Sequence, residues 1–168
     1  MHSDRELLSK IADGDESAFE RLYDRFADRV YRYAFTILRD RHLAQEVAQE
    51  TMTAIWKGAT RFAGRSKAST WIFGIARNQA LSLRRKESRT ETSPEVRGVE
   101  PDPSSQILRR ERVLEAMKRL PDDQREVVFL TFYEGLPYKQ IAQMLEIPEG
   151  TVKSRMFHAK RKLAEVLA

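Results

Sequence analysis

The chain has 168 residues, with 30 Lys and Arg against 25 Asp and Glu, and no cysteine. This length allows one ordinary domain or two small ones, and a 41% hydrophobic content is enough for a packed core. No apolar run approaches the ~20 residues a bilayer requires, and without cysteine there is no disulfide, thiolate metal site or thiol catalysis.

Taken in chain order, the apolar residues recur at spacings of three and four, which predicts helices throughout. Ser3 and Glu6 form a capping box ahead of Leu7, Leu8 and Ile11, and Gly14 ends that short helix. Phe19, Leu22, Tyr23, Phe26, Val30, Tyr33 and Ile37 trace one stripe along a long second helix. A third spans about residues 42–57, with Leu43, Val47, Thr51, Ala54 and Ile55 on one side. Ser69 or Thr70 is the expected cap of a fourth, whose apolar face holds Trp71, Ile72, Ile75 and Ala76. Residues 87–106 carry Pro94, Pro101 and Pro103 and almost no large apolar side chain, so they read as a flexible linker. Beyond it, Pro121 is the expected first residue of a helix with Asp122 and Asp123 in its first turn. The fold class is therefore all-α: two small helical bundles, residues 1–86 and 107–168, joined by a flexible linker.

The strongest local motif occupies residues 135–167. Tyr138, Ile141, Ala142 and Leu145 form a short helix, Glu146-Ile147-Pro148 break it, and a second helix begins near Glu149. Ala142 supplies the small side chain that steeply crossing helices need, and Ile147 and Val152 pin the second helix to the first. The exposed face of the second helix offers Thr151, Lys153, Ser154, Arg155, His158, Arg161 and Lys162, groups suited to phosphates and base edges in a major groove. Lys160 and Lys162, late on the helix, suit phosphate. This is a helix-turn-helix pattern.

Resolved by segment, the net charge of +5 becomes −3 over residues 1–56, +8 over 57–89, an acidic 90–106, a neutral 107–147 and +3 over 148–168. Two basic segments point to a polyanion. In the first, Lys57, Arg61, Arg65, Lys67, Arg77, Arg84, Arg85 and Lys86 alternate with Phe62, Trp71 and Phe73. Such interleaving suits single-stranded nucleic acid, although Trp71 and Ile75 also fit a helical core. The loop over 62–69 could offer backbone groups and hydroxyls to an extruded base. In the third helix, Gln45, Glu46, Gln49 and Glu50 make an acidic face beside Val47, Met52, Ile55 and Trp56. Composition alone favours a solvated surface there, and a partner-binding face is the sharper alternative. Paired carboxylates without a nearby His, Asp or phosphate loop do not make a catalytic site, and His2, His42 and His158 are too scattered for zinc. No metal, cofactor or catalytic residue is expected. The N-terminal MHSDRELLSK lacks the apolar stretch of a signal peptide, which predicts a cytoplasmic protein.

The order of QEVAQETMTAIW, STWIFGIARNQALSLRR, a linker and LPDDQREVVFLTFYEGLPYKQIAQMLEIPEGTVKSRMFHAKRKL resembles an extracytoplasmic-function (ECF) sigma factor of bacterial RNA polymerase. The resemblance covers nearly the whole chain except the linker. It implies a dissociable, non-enzymatic polymerase subunit that directs promoter recognition and strand opening at transcription initiation. It implies docking on core RNA polymerase through Gln45, Glu46, Gln49, Glu50 and Trp56. Reading of the single-stranded minus-ten element falls to Lys67, Ser69, Arg77 and Asn78, with Arg84 and Arg85 on its backbone. The double-stranded minus-35 element falls to Thr151, Lys153, Ser154, Arg155 and His158, and the linker threads toward the RNA-exit path. A cognate anti-sigma factor is a further implied partner. One position departs from the family pattern: His158 stands where Arg is usual, and imidazole makes one bond where Arg grips guanine with two. The alternative is a stand-alone helix-turn-helix transcriptional regulator, which leaves the +8 segment and the acidic helix unexplained.

Overall fold

The computed structural model describes residues 2–88 and 105–167, including side chains except over 105–111. Every regular element among the described residues is helical, and none is a strand. The chain divides into two compact units, Met1–Val96 and Arg97–Ala168.

The first unit holds α1 (Asp4–Ala12), α2 (Glu16–Leu38), α3 (Arg41–Gly58) and α4 (Ala68–Ser88), with a 3-10 turn over Ala59–Arg61. Local chemistry sets the boundaries. The Ser3 hydroxyl accepts from the Glu6 amide at 3.2 Å, and Asp15 and Asp40 accept from Ala18 and Leu43 at 3.1 Å each. Each satisfies an amide that the first helical turn leaves without a partner. Gly14, at φ +87, makes the left-handed turn between α1 and α2. The long stripe of α2 is buried at Leu22, Phe26, Val30, Tyr33 and Ile37. It meets Val47, Thr51, Met52 and Ile55 of α3 and Ile72, Phe73, Ala76 and Ala80 of α4.

Four expectations are corrected here. Tyr23 is 45% exposed and Phe19 only half-buried, because the start of α2 meets Trp56 of α3 at the surface instead of the core. Phe73 is fully buried, edge-on to Phe26 and Tyr33 at 6.2 and 5.6 Å, so it cannot receive a base. Ser69 and Thr70 lie inside α4 and do not cap it: the helix opens at Ala68, and the Lys67 carbonyl already accepts from Trp71. Finally, both ends of the expected linker are helical. α4 runs through Glu87 and Ser88, whose hydroxyl donates to the Arg85 carbonyl, and the next helix begins at Ser105. Of the expected linker, residues 89–104 lie outside the described residues.

The second unit holds α5 (Ser105–Lys118), α6 (Asp122–Val128), a π-helical continuation over Phe129–Tyr133, α7 (Tyr138–Leu145) and α8 (Glu149–Leu167). Pro121 sits one position earlier than expected, capping α6 rather than opening it, with extended ψ of 153°. Its core gathers Ala116, Leu120, Val127, Leu130, Ile141, Leu145, Val152, Met156 and Ala159. At its centre is a charge. The nearly buried Arg125 donates from Nε to the Met117 carbonyl (3.0 Å), from Nη2 to the Leu120 carbonyl (2.7 Å) and from Nη1 to Asp122 (2.8 Å). One guanidinium thus satisfies carbonyls at the end of α5 and ties them to the first turn of α6.

Candidate polymerase and nucleic-acid interfaces

The acidic face of α3 is solvent-exposed at Gln45, Glu46, Gln49 and Glu50, while Ala44, Val47, Thr51 and Ile55 on the reverse side are buried. Helical geometry, 100° per residue, puts Gln45, Gln49 and Trp56 within about 40° of one another, along about 16 Å of helix. Trp56 is 38% exposed and rests edge-on against Phe19 at 5.3 Å. The face therefore ends in an aromatic cluster on α2 and α3 that includes Tyr23, whose ring lies 6.3 Å from Phe19. Sequence periodicity assigned Phe19 and Tyr23 to the core and so missed them here.

The six candidates on and before α4 separate into two sets. Lys67, Asn78 and Arg85 are exposed, and spacings of 11 and 7 residues bring them onto one line about 27 Å long. Ser69, Arg77 and Arg84 are half-buried. Arg84 turns inward, and its Nη2 donates to the Ile37 carbonyl at 2.7 Å near the end of α2, so part of its guanidinium is committed to packing. Before α4, the loop 62–67 is anchored by Phe62, whose ring lies 5.3 Å from Trp71 at 50°. Both rings are half-buried, which leaves them, unlike Phe73, at the surface beside the cationic line.

In the second unit α7 ends at Glu146, left-handed at φ 56, and the Ile147 amide donates back to the Ala142 carbonyl at 3.1 Å. The Pro148 carbonyl then accepts from Thr151 and Val152, starting α8. Ala142, Val152, Met156 and Ala159 are buried at the helix crossing, and Ile147 is half-buried. Spacings of three and four align Thr151, Ser154, His158 and Arg161 on the opposite face; the last three are exposed and Thr151 is half-buried. Lys153 is exposed and lies 4.0 Å from Glu149. Arg155 departs from the expected exposed face. Its side chain is 27% exposed and its Nε lies 3.5 Å from the Asp123 carboxylate, which draws it toward α6. Phe157, 58% exposed, was overlooked in the sequence. Its ring lies 5.5 Å from that of His158 and 5.8 Å from the Arg161 guanidinium. Its register, 140° from the buried Val152, is the signal that marks it as outward-facing.

Among the described residues no group of His, Cys, Asp and Glu is arranged to hold a metal, and no helix is long and apolar enough to cross a membrane. One acidity shift lies far from these candidates in sequence. The His2 ring, hydrogen-bonded at 3.0 Å, and then the Ser3 hydroxyl and amide hold the Glu6 carboxyl below its ordinary range.

Comparison with known proteins fits this division. Residues 22–90 match Sigma-70 region 2, and residues 110–163 match Sigma-70 region 4. The chain is 30% identical over 171 residues to the ECF RNA polymerase sigma factor SigK of Mycobacterium tuberculosis, covering 96% of this chain and 91% of that protein. It is 32% identical to the SigK of Mycobacterium sp. strain JLS, covering 96% and 89%. Among solved structures, the sigma factor RpoE of Bartonella quintana, in complex with the anti-sigma factor NepR, superposes with a TM-score of 0.78 at 25% identity, covering 89% of this chain and 96% of that one. The order of acidic helix, basic aromatic segment and helix-turn-helix, the all-α architecture and the two matched regions agree: this chain belongs to the ECF sigma factors, the promoter-directing subunits of bacterial RNA polymerase.

Proposed function

We propose that the exposed faces divide the work of promoter recognition among three surfaces. Gln45, Glu46, Gln49, Glu50 and Trp56 dock on core RNA polymerase. Lys67, Asn78 and Arg85, with Ser69, Arg77 and Arg84 beside them, take the single-stranded minus-ten element. Thr151, Lys153, Ser154 and His158 take the double-stranded minus-35 element, and Arg155 joins them when it leaves Asp123. The two DNA-facing surfaces are carried by the two units, and the chain between Ser88 and Ser105 connects them. What supports this reading most is the row Thr151, Ser154, His158 and Arg161, which turns hydroxyls, an imidazole and a guanidinium outward from a helix whose other face is locked into the core.

The chain has no chemistry of its own in this reading, and it acts in the cytoplasm, where its polymerase is. Each DNA surface is small and binds weakly alone. Joined through polymerase, each raises the effective concentration of the other at the promoter. The partnership of the Bartonella relative with an anti-sigma factor supports a cognate inhibitor here, covering the polymerase-binding face until it is released.

Run-off transcription from a linear template tests the assignment. Product should require both this chain and core polymerase. Charge reversal at Glu46 and Glu50 should abolish it by lowering core affinity, with promoter contacts intact. Nanomolar binding of a specific operator by the chain without polymerase would instead identify a stand-alone regulator.

A further inference from the structure

Outside the candidate interfaces, one side chain reaches from α1 into the loop that precedes α4. Arg5 Nη2 donates to the Gly64 carbonyl, a contact between residues 59 apart in sequence. Its guanidinium also lies 6.0 Å from the centre of the Phe62 ring. Gly64 is left-handed at φ +72, and a Cβ there would sit 2.9 Å from Arg5 Nη2. The absence of a side chain at residue 64 is thus what lets the guanidinium approach.

The base of this strut is fixed. α1 buries Leu7, Leu8 and Ile11, and Asp4, the neighbour of Arg5, pairs with Arg25 of α2 at 2.9 Å. Beneath the loop there is open space. A cleft of about 390 Å³ lies between α1 and the 59–64 segment, lined by Arg5, Ser9, Thr60, Phe62 and Gly64 among others. A loop over a packed core is held by its own contacts, whereas a loop over a cleft can collapse into it. Here the Phe62 ring is already pinned against Trp71, and a charge-assisted hydrogen bond from Arg5 ties the Gly64 carbonyl to α1 across the cleft.

We propose that Arg5 is a positioning residue for the minus-ten surface, a strut that sets the 62–67 loop before the melted strand arrives. This rests on the reading that the loop and α4 engage that strand. Presetting removes ordering that binding would otherwise have to supply. A single exposed, charge-assisted bond corresponds to about a 3- to 10-fold effect on strand affinity.

Two measurements on Arg5→Ala and Arg5→Lys decide it. Hydrogen exchange of the loop amides in the full free chain reports the strut directly. Affinity of the reconstituted holoenzyme for a fork template with the single-stranded minus-ten region of a promoter mapped by its transcript starts reports the consequence. Arg5→Ala should speed loop exchange and weaken fork binding about 3- to 10-fold, with core affinity unchanged. Arg5→Lys, which keeps the charge and a donor for the carbonyl, should recover part of both losses. Gly64→Ala should act in the same direction, and its combination with Arg5→Ala should be less than additive. Unchanged loop exchange with weakened fork binding would mean that Arg5 touches DNA itself, and the strut is overturned. Wild-type behaviour of Arg5→Ala in both measurements overturns it as well, because the loop would then be set without this side chain. Faster exchange with unchanged fork binding would sink the assignment of the loop to the minus-ten strand, and the positioning role with it.

Discussion

The two units solve the same problem with different materials. The first interlocks Phe26, Tyr33 and Phe73 among four helices, with Leu7, Leu8, Leu22, Ile55 and Ile72 fully buried around them. Charge there sits at the margin of an apolar core: the Arg29 guanidinium lies over the rings of Phe26 and Phe73 at 4.3 and 5.5 Å. The second unit sets two short helices, α6 of seven residues and α7 of eight, between α5 and α8. It closes on Arg125, whose guanidinium bridges two carbonyls and a carboxylate. A domain of this size rarely draws more than about 3–5 kcal/mol from its apolar core, so a polar tie is a large share of the total. The helix α8, proposed above to read DNA, is therefore mounted on the more fragile of the two frames.

The sharpest way to break this contrast is Arg125→Ala. It takes the guanidinium from the Leu120 carbonyl and one of two donors from the Met117 carbonyl, which keeps the Leu120 amide. The change should remove about 2–4 kcal/mol, most of the stability of the second unit. Denaturation followed by Trp56 and Trp71, both in the first unit, should hardly change, while helical circular dichroism gains an early transition. One cooperative transition shifted for both probes would show that the units do not differ as described. Next in size is His158→Arg. A guanidinium in the exposed row makes two bonds to guanine, which is worth about 1–3 kcal/mol of discrimination at the facing base pair. Binding sites selected by the variant holoenzyme should become richer in guanine at one minus-35 position. An unchanged preference there would remove His158 from the base-reading set.

Legibility from sequence followed the same division. The boundaries at Ser3 and at the Glu146-Ile147-Pro148 turn could be read in advance, because caps and turns are local chemistry. Ser69, Thr70 and Pro121 also have the right chemistry for a helix start, but they stand at the wrong position for the one that forms. Helical periodicity placed Leu22, Phe26, Val30, Tyr33 and Ile37 in the core, but it could not show where a stripe outruns its cover, so Phe19 and Tyr23 were placed inside. Phe73 was grouped with the cations around it, although its spacing to Ala76 and Ala80 puts it on the buried face. Arg125 and Arg5 left no local pattern. Their partners are backbone carbonyls, which every residue has, and only the fold brings them within reach. The exposed site residues on α3 and α8 were legible as faces. The pairing of Arg155 with Asp123 was not, for the same reason.

Within the better-packed unit one flaw remains. Thr51 is fully buried, and its hydroxyl has no hydrogen-bond partner. Burying an unpaired hydroxyl is unfavourable, and Val has the same branching with similar helix propensity. Thr51→Val should therefore stabilise the first unit by about 1 kcal/mol, read as a later transition by tryptophan fluorescence. Equal or lower stability would mean that the hydroxyl is satisfied in solution.

The smallest expected effect separates stability from recognition in the second unit. The Arg155–Asp123 pair is half-exposed at Asp123, so its net contribution is about 0.5 kcal/mol. Asp123→Asn should lower the stability of the second unit by that amount, partly through loss of a favourable negative charge at the start of α6. DNA binding should move the other way. The substitution frees a guanidinium at the edge of α8 and removes a carboxylate from near the phosphates, so minus-35 affinity should rise about 2- to 4-fold, with a salt dependence steeper by about one counterion. Holoenzyme titrations onto minus-35 duplexes at several salt concentrations measure both quantities. If affinity falls along with stability, Asp123 holds Arg155 in its reading position instead of competing with DNA for it. The weaker frame would then be part of the recognition surface, not merely its support.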